Sequence, residues 1–239
     1  MKPLIIANWK MNPSNSKEAF DLALSVQNEL KGLNIEVVLC PPFVYVPQLL
    51  PSLNVFIGAQ DCFWEQEGPY TGEISPAMLK NLGCSHVILG HSERRRNLKE
   101  TAEMVQSKAK ACLEIGLIPV VCIGQSAEKE FQDMLQAFDA QEISKIVFAY
   151  EPEWAISTQK GAKSEDPEHA RTIMEGMKEA LASAFGKETA EKTRIIYGGS
   201  VNQENIGKFL KVGFQGALVG AASLDNKGFV ALAKKAELA

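Results

Sequence analysis

Short, unbroken apolar runs recur along this chain, separated by longer stretches in which apolar residues fall three or four positions apart. The runs are Leu4–Ala7, Glu36–Cys40, Val55–Ala59, His86–Gly90, Ile118–Ile123, Ile146–Tyr150, Arg194–Tyr197 and Ala217–Val219. Each is too short and too continuous for a strand with one face in water, and reads as a strand covered on both faces. Between them, Ser16 can cap a helix whose Phe20, Leu24 and Leu30 share a face. Thr101–Ile115 repeats that spacing with Val105, Ala109, Cys112 and Leu113. Asp166 followed by Pro167 is a helix-start signature, and Ala170, Ile173, Met174, Met177 and Leu181 then form one stripe. Leu224–Ala236 reads as a last helix.

Strand–helix alternation implies right-handed crossovers and a parallel sheet. Eight such units in 239 residues, with no linker rich in Pro, Gly or Ser, predict an α/β fold: a single closed (β/α)8 barrel in which residues 1–239 form one domain. A doubly wound open sheet would need longer strands and a phosphate-binding turn after the first one, which here reads Asn8-Trp9-Lys10.

Composition narrows the function classes. The chain is 46% hydrophobic with a net charge of −4, and its charges are interspersed, so no basic block suggests nucleic acid. An anionic small substrate needs only local positive potential and stays open. The apolar run near the N-terminus, cut at Asn8, is too short for a signal peptide or a membrane helix. Five cysteines, odd in number and never at zinc spacing, read as reduced core thiols of a cytoplasmic protein. The three histidines make no ligand pair, and neither a P-loop nor a dinucleotide fingerprint occurs. No metal and no nucleotide or redox cofactor is expected.

In a barrel, chemistry sits at the carboxyl ends of the strands. The sixth run ends on Glu151, directly before Pro152, with Trp154 and then Ser157, Thr158, Gln159, Lys160 and Gly161 following. That arrangement reads either as a base beside a loop that can cover it or as a surface glutamate closing a strand. The first strand delivers Asn8 and Lys10, a solvated charge or a fixed cation for an oxyanion or phosphate. The fourth delivers Gly90-His91-Ser92-Glu93-Arg94-Arg95. One reading is a helix start with Ser92 as cap and Glu93 paired to an arginine. The other is an imidazole held neutral over a helix N-terminus, able to polarise a carbonyl. Tyr197-Gly198-Gly199-Ser200 and Val219-Gly220-Ala221 are glycine-rich turns, and two in succession, each opening a helix, suggest a phosphate cradle of backbone N–H groups. A carboxylate, an imidazole, an ammonium, an amide and a phosphate seat together suit proton abstraction beside the carbonyl of a small phosphorylated molecule.

From Ile5 to Leu224 the chain resembles the triosephosphate isomerase family. The resemblance rests on Asn8-Trp9-Lys10-Met11-Asn12, Tyr70-Thr71-Gly72-Glu73-Ile74-Ser75, Gly90-His91-Ser92-Glu93-Arg94-Arg95, Cys122-Ile123-Gly124, Tyr150-Glu151-Pro152, Trp154-Ala155-Ile156, Tyr197-Gly198-Gly199-Ser200-Val201 and Leu218-Val219-Gly220. It implies a TIM barrel that interconverts dihydroxyacetone phosphate and D-glyceraldehyde 3-phosphate, a step of glycolysis and gluconeogenesis. It also implies that Glu151 is the base, that neutral His91 serves the enediolate oxygens, and that Lys10 and Asn8 hold negative charge on oxygen. Glu93 would orient the lysine or take part itself. Ser200, Gly220, Ala221 and Ser157 would hold the phosphate. The family's dimer loop falls on Gln60–Glu73, with Tyr70 and Thr71 reaching a second subunit, so a homodimer is expected.

Several positions depart from the family pattern. Ser157-Thr158-Gln159-Lys160 replaces a glycine-containing lid sequence, and Glu153 puts a second carboxylate beside the base. Ala221 stands in place of a glycine, tolerable only where the backbone avoids positive φ. Gln125–Ser144 is shorter than usual. These changes are expected to tune loop motion and affinity and to leave the reaction unchanged. Two other readings are a pentulose-phosphate epimerase, which would want metal ligands on its strands, and a phosphometabolite-binding protein, which would need no positioned base.

Overall fold

The structure, a computed structural model, describes residues 1–124, 127–155 and 165–239. Eight parallel strands close into a barrel in chain order. They are β1 (Leu4–Asn8), β2 (Glu36–Cys40), β3 (Phe56–Ala59), β4 (His86–Leu89), β5 (Ile118–Ile123), β6 (Val147–Tyr150), β7 (Arg194–Tyr197) and β8 (Gly216–Val219). Among the described residues, the helices around them are α1 (Ser16–Leu30), α2 (Val46–Leu49), α3 (Pro76–Leu82), α4 (Ser92–Leu98), α5 (Ala102–Glu114), α6 (Ala127–Ala137) and α7 (Ala140–Ile143), then α8 (Pro167–Phe185), α9 (Lys187–Lys192), α10 (Ile206–Lys211) and α11 (Asn226–Glu237).

The unbroken apolar runs follow from two cores sharing one sheet. Leu4, Ile6, Val38, Cys40, Ile88, Val120, Cys122, Val147, Ala149, Ile196 and Leu218 pack together as one buried cluster. The alternate residues, such as Ile5, Ala7, Val37, Leu39, Val87 and Phe148, belong to a larger cluster shared with the helices. Both faces of each strand are therefore covered, and side chains of period two are apolar on both sides. The closing pair, β1 with β8, sets Leu4 opposite Gly216. A Cβ added at Gly216 would stand 2.0 Å from the Leu4 carbonyl oxygen, and φ there is +153°, so the seam accepts only glycine.

Local expectations were met unevenly. Asp166 caps α8 through Glu168 N–H, Pro167 opens it, and Ala170, Met174, Met177 and Leu181 are buried. For α1 the cap is Asn15, whose side chain accepts from Glu18 N–H, and Ser16 is already helical. The buried face of α1 is Ala19, Ala23, Val26 and Leu30, with Phe20 and Leu24 only partly covered. Small residues let that helix lie close to the barrel wall. The last helix starts at Asn226, after a short 3-10 turn over Ala221–Leu224.

Candidate active site

Four strand ends converge on one small cavity. Asn8, Lys10, His91, Glu151, Gly198, Gly199, Leu218 and Gly220 line it. Its volume is about 20 Å³, whereas clefts of about 450 and 670 Å³ lie at the opposite, amino-terminal mouth of the barrel. Size does not locate the chemistry; the convergence of a carboxylate, an imidazole and an ammonium does.

Lys10 follows β1 in a left-handed conformation, φ +53°, which a side-chain-bearing residue holds only when its surroundings enforce it. Asn8 Oδ1 accepts the Lys10 N–H at 3.0 Å, and Gln60 Nε2 donates to the Lys10 carbonyl at 2.7 Å and to the Cys40 carbonyl at 2.9 Å. The bent backbone delivers Lys10 Nζ to 2.7 Å from Glu93 Oε1. Glu93 is thus an ion-pair partner that fixes the ammonium at the rim.

β4 ends at Leu89, and Gly90, at φ +68°, turns the chain into α4. His91, not Ser92, is the cap of that helix: its Nδ1 accepts the Glu93 N–H at 3.2 Å. An accepting Nδ1 carries a lone pair, so the ring is the neutral tautomer with its proton on Nε2. Nε2 lies 3.3 Å from Glu151 Oε1. The other Glu151 oxygen, Oε2, accepts the Ser92 N–H at 3.1 Å. Glu151 is 1% exposed, so the carboxylate is dry and held by one backbone donor and one imidazole. Below it lies Cys122, whose thiol is kept protonated first by burial and then by the Glu151 charge.

The opposite wall is bare backbone. A Cβ at Gly198 would come within 2.7 Å of Glu151 Cγ, and one at Gly199 within 2.2 Å of the Tyr197 hydroxyl oxygen. The two glycines therefore make room for the base and for a buried tyrosine. That hydroxyl has no hydrogen-bond partner among the described residues.

The expected phosphate seat is only partly as foreseen. Gly220 and Ala221 stand at the start of a 3-10 turn, with Gly220 near Lys10: a Cβ there would lie 3.6 Å from Nζ. Ala221 is not among the residues with positive φ, so its methyl group is accommodated. After β7, however, no helix opens at the glycines; α10 begins only at Ile206. The Ser200 N–H is engaged by the Ala155 carbonyl at 2.8 Å. Trp154 is 44% exposed, its ring 6.2 Å from that of His169. Ser157, Thr158, Gln159 and Lys160 lie outside the described residues, as does the side chain of Glu153.

A model of the triosephosphate isomerase family matches residues 3–236. The chain belongs to the triosephosphate isomerase family. Relatives carrying that name include a protein from Caldanaerobacter subterraneus subsp. tengcongensis, 41% identical, with the match covering 95% of this chain and 97% of the relative. One from Dictyoglomus thermophilum is also 41% identical, over the same shares. One from Citrifermentans bemidjiense is 38% identical, over 99% of each chain.

Two residues of this triosephosphate isomerase family site were not singled out from sequence. Gln60 clamps the Lys10 turn, and the rule that looks at strand ends would have found it, since it directly follows β3. Arg95 ties two strand ends together, donating to the Gly90 carbonyl at 2.7 Å and the Cys122 carbonyl at 3.3 Å. Its partners are backbone atoms, which leave no trace in a residue pattern. On the loop after β3, Phe63 stacks on Trp64 at 4.0 Å and packs against Tyr70 at 4.6 Å. Tyr70 itself is 40% exposed, and Thr71 is exposed at the tip. No helix of the described residues is long and apolar enough to cross a membrane.

Proposed function

We propose that this chain interconverts dihydroxyacetone phosphate and D-glyceraldehyde 3-phosphate by proton transfer through an enediolate. The observation that carries the reading is the dry Glu151 carboxylate, set against the Nε2–H of a neutral His91 in a cavity that Lys10 closes. Glu151 takes a proton from the carbon beside the carbonyl, and the C–H electron pair forms the new C=C bond as the carbonyl pair moves to oxygen. His91 donates from Nε2 to the oxygens, and the proton on Glu151 returns to the neighbouring carbon. Burial keeps the carboxylate unsolvated and so a stronger base toward carbon. Lys10 and Asn8 hold the developing charge on oxygen, and Glu93 holds Lys10 in place. Gly220, Ala221 and Ser200 seat the phosphate, together with Ser157; the Ser200 N–H must exchange its Ala155 carbonyl partner to do so.

We further read the chain as one barrel domain that works in the cytoplasm as a homodimer, with Tyr70 and Thr71 reaching the partner. The exposed apolar Met11, Phe43, Val44 and Tyr70 supply area for such a contact. The dimer is tested by sedimentation alongside activity on dilution, for the native chain and for Thr71→Trp. Undiminished turnover by a proven monomer sinks it.

The reaction is tested by turnover of glyceraldehyde 3-phosphate in EDTA, native protein against Glu151→Gln. Rapid isomerisation that falls by about three orders of magnitude in the variant supports the assignment. Equal rates, or none from the folded native chain, refute it.

A further inference from the structure

Cys62 and Cys112 stand apart from the other three cysteines. Their sulfurs lie 3.5 Å apart and share a hydrogen bond, and all five thiols are free. No other pair of these sulfurs makes such a contact among the described residues. Cys62 sits at the root of the loop that follows β3, and Cys112 lies in the last turn of α5. The same two elements are already joined by charge. Lys108, one helical turn before Cys112, donates to both oxygens of Asp61 at 2.9 Å and also to Glu100. Arg94 Nη2 adds a second cation, 2.7 Å from Asp61 Oδ2. Dithiol and ion-pair cluster thus brace one junction, the seam between the loop root and α5.

We propose that Cys62 and Cys112 form an oxidation site, a dithiol that two-electron oxidants of the hydroperoxide class convert into a disulfide stapling the loop root to α5. Cys62, at 3% exposure against 0% for Cys112, is the sulfur reached first. Its thiolate attacks one peroxide oxygen, the O–O bond breaks, and Cys62 becomes a sulfenic acid as water leaves. The Cys112 sulfur then attacks the Cys62 sulfur, the S–O bond breaks, and a second water departs as the S–S bond forms. Two thiols lose two electrons and two protons, and the peroxide is reduced to two waters. The sulfurs must close from 3.5 Å by about 1.5 Å to reach bonding distance. The hydrogen bond from Cys112, then burial, holds the Cys62 thiol protonated. The reaction is therefore slow and set by how often the junction opens.

A staple at this place makes the neighbouring charges redundant, and that supplies the test. Native protein is treated with hydrogen peroxide, quenched, unfolded in alkylating agent, digested and mapped. The expected product is a Cys62–Cys112 linked peptide, with Cys40, Cys84 and Cys122 alkylated. The thermal midpoint should rise by roughly 5 °C or more, and should not rise in Cys112→Ala. Asp61→Asn should lower the midpoint of the reduced protein, and that loss should be at least halved in the disulfide form. Alkylation of both thiols after peroxide, a link through another cysteine, sulfinic acid at Cys62, or an Asp61→Asn loss unchanged by oxidation overturns the proposal.

Discussion

β4 carries a histidine at each end of the barrel, and the two could hardly be treated more differently. At the amino-terminal mouth, His86 Nδ1 lies 2.8 Å from Ser85 Oγ, whose hydroxyl donates to the Ile57 carbonyl at 3.2 Å. With that hydroxyl proton spent, the Nδ1 must carry hydrogen, so His86 is the Nδ1–H tautomer. At the carboxyl-terminal mouth, His91 accepts at Nδ1 and is the Nε2–H tautomer. Both rings are more than nine-tenths buried. The charges beside them also differ. Near His86 the Glu36 carboxylate is met by the Arg194 guanidinium at 2.6 Å. Beside His91 the Glu151 carboxylate has a neutral ring and a peptide N–H as its polar partners. The lower mouth satisfies its groups with each other, and the upper mouth leaves a carboxylate and an N–H aimed at a cavity. The upper mouth also bears the left-handed Lys10 and the unpartnered Tyr197 hydroxyl. Where local rules are broken together, function is the economical explanation.

The largest effect expected from this contrast comes from exchanging the same residue at both ends. His91→Gln should lower kcat by about three orders of magnitude in steady-state isomerisation while leaving the thermal midpoint within a few degrees. His86→Gln should leave turnover per folded molecule unchanged. Equal losses of activity from the two variants would erase the distinction.

A second difference is read in acid. Burial pushes the His86 ring down to about 4 from the ordinary 6.5, with Glu36 working against the shift and Arg194 with it. Between those values the unfolded chain binds a proton that the native ring refuses. Native stability therefore falls as pH drops from 6.5 to 4, by about 3 kcal/mol from this group. Burial raises Asp61 to about 6, which gives the opposite slope over much of the same window. That slope is common to both proteins, so the difference between native and His86→Gln in urea melts isolates the ring. Parallel pH profiles would show that His86 does not titrate on unfolding.

A smaller effect tests the bare wall of the upper mouth. Gly198→Ala places a methyl group against Glu151 Cγ and the Tyr150 carbonyl, displacing the carboxylate without removing it. We expect kcat to fall by about two orders of magnitude with a modest change in KM. Native kcat in this variant would mean that the base has room to spare.

The same contrast explains what could be read from the sequence. The barrel was legible because eight strands covered on both faces must be apolar at consecutive positions, and this needs no knowledge of partners. The reactive side chains were legible because strand ends are a short list of places and Asn8, Lys10, His91 and Glu151 occupy them. Caps were less so: Asn15 and Ser16 are both good caps, and only the helix register against the wall chooses between them. His91 as its own helix cap was missed because a ring nitrogen rarely fills that role. Gln60 and Arg95 act on carbonyl oxygens, and every residue has one, so nothing in the pattern marks the recipient. The phosphate seat after β7 was misplaced because glycines there clear space for Glu151 and Tyr197 and do not start a helix.

The seam at Gly216 bears on how the chain comes to be folded at all. β1 finds one neighbour, β2, early, but its other neighbour lies almost at the far end of the chain. During synthesis the growing sheet therefore presents an open edge along β1 until β8 has left the ribosome, and an open edge invites pairing with other chains. Closing the ring is a contact of very high sequence separation, the kind that slows folding. A side chain at position 216 would obstruct that step directly, so its harm would show first as aggregation and low yield of nascent chains, before any assay of the finished enzyme could register it.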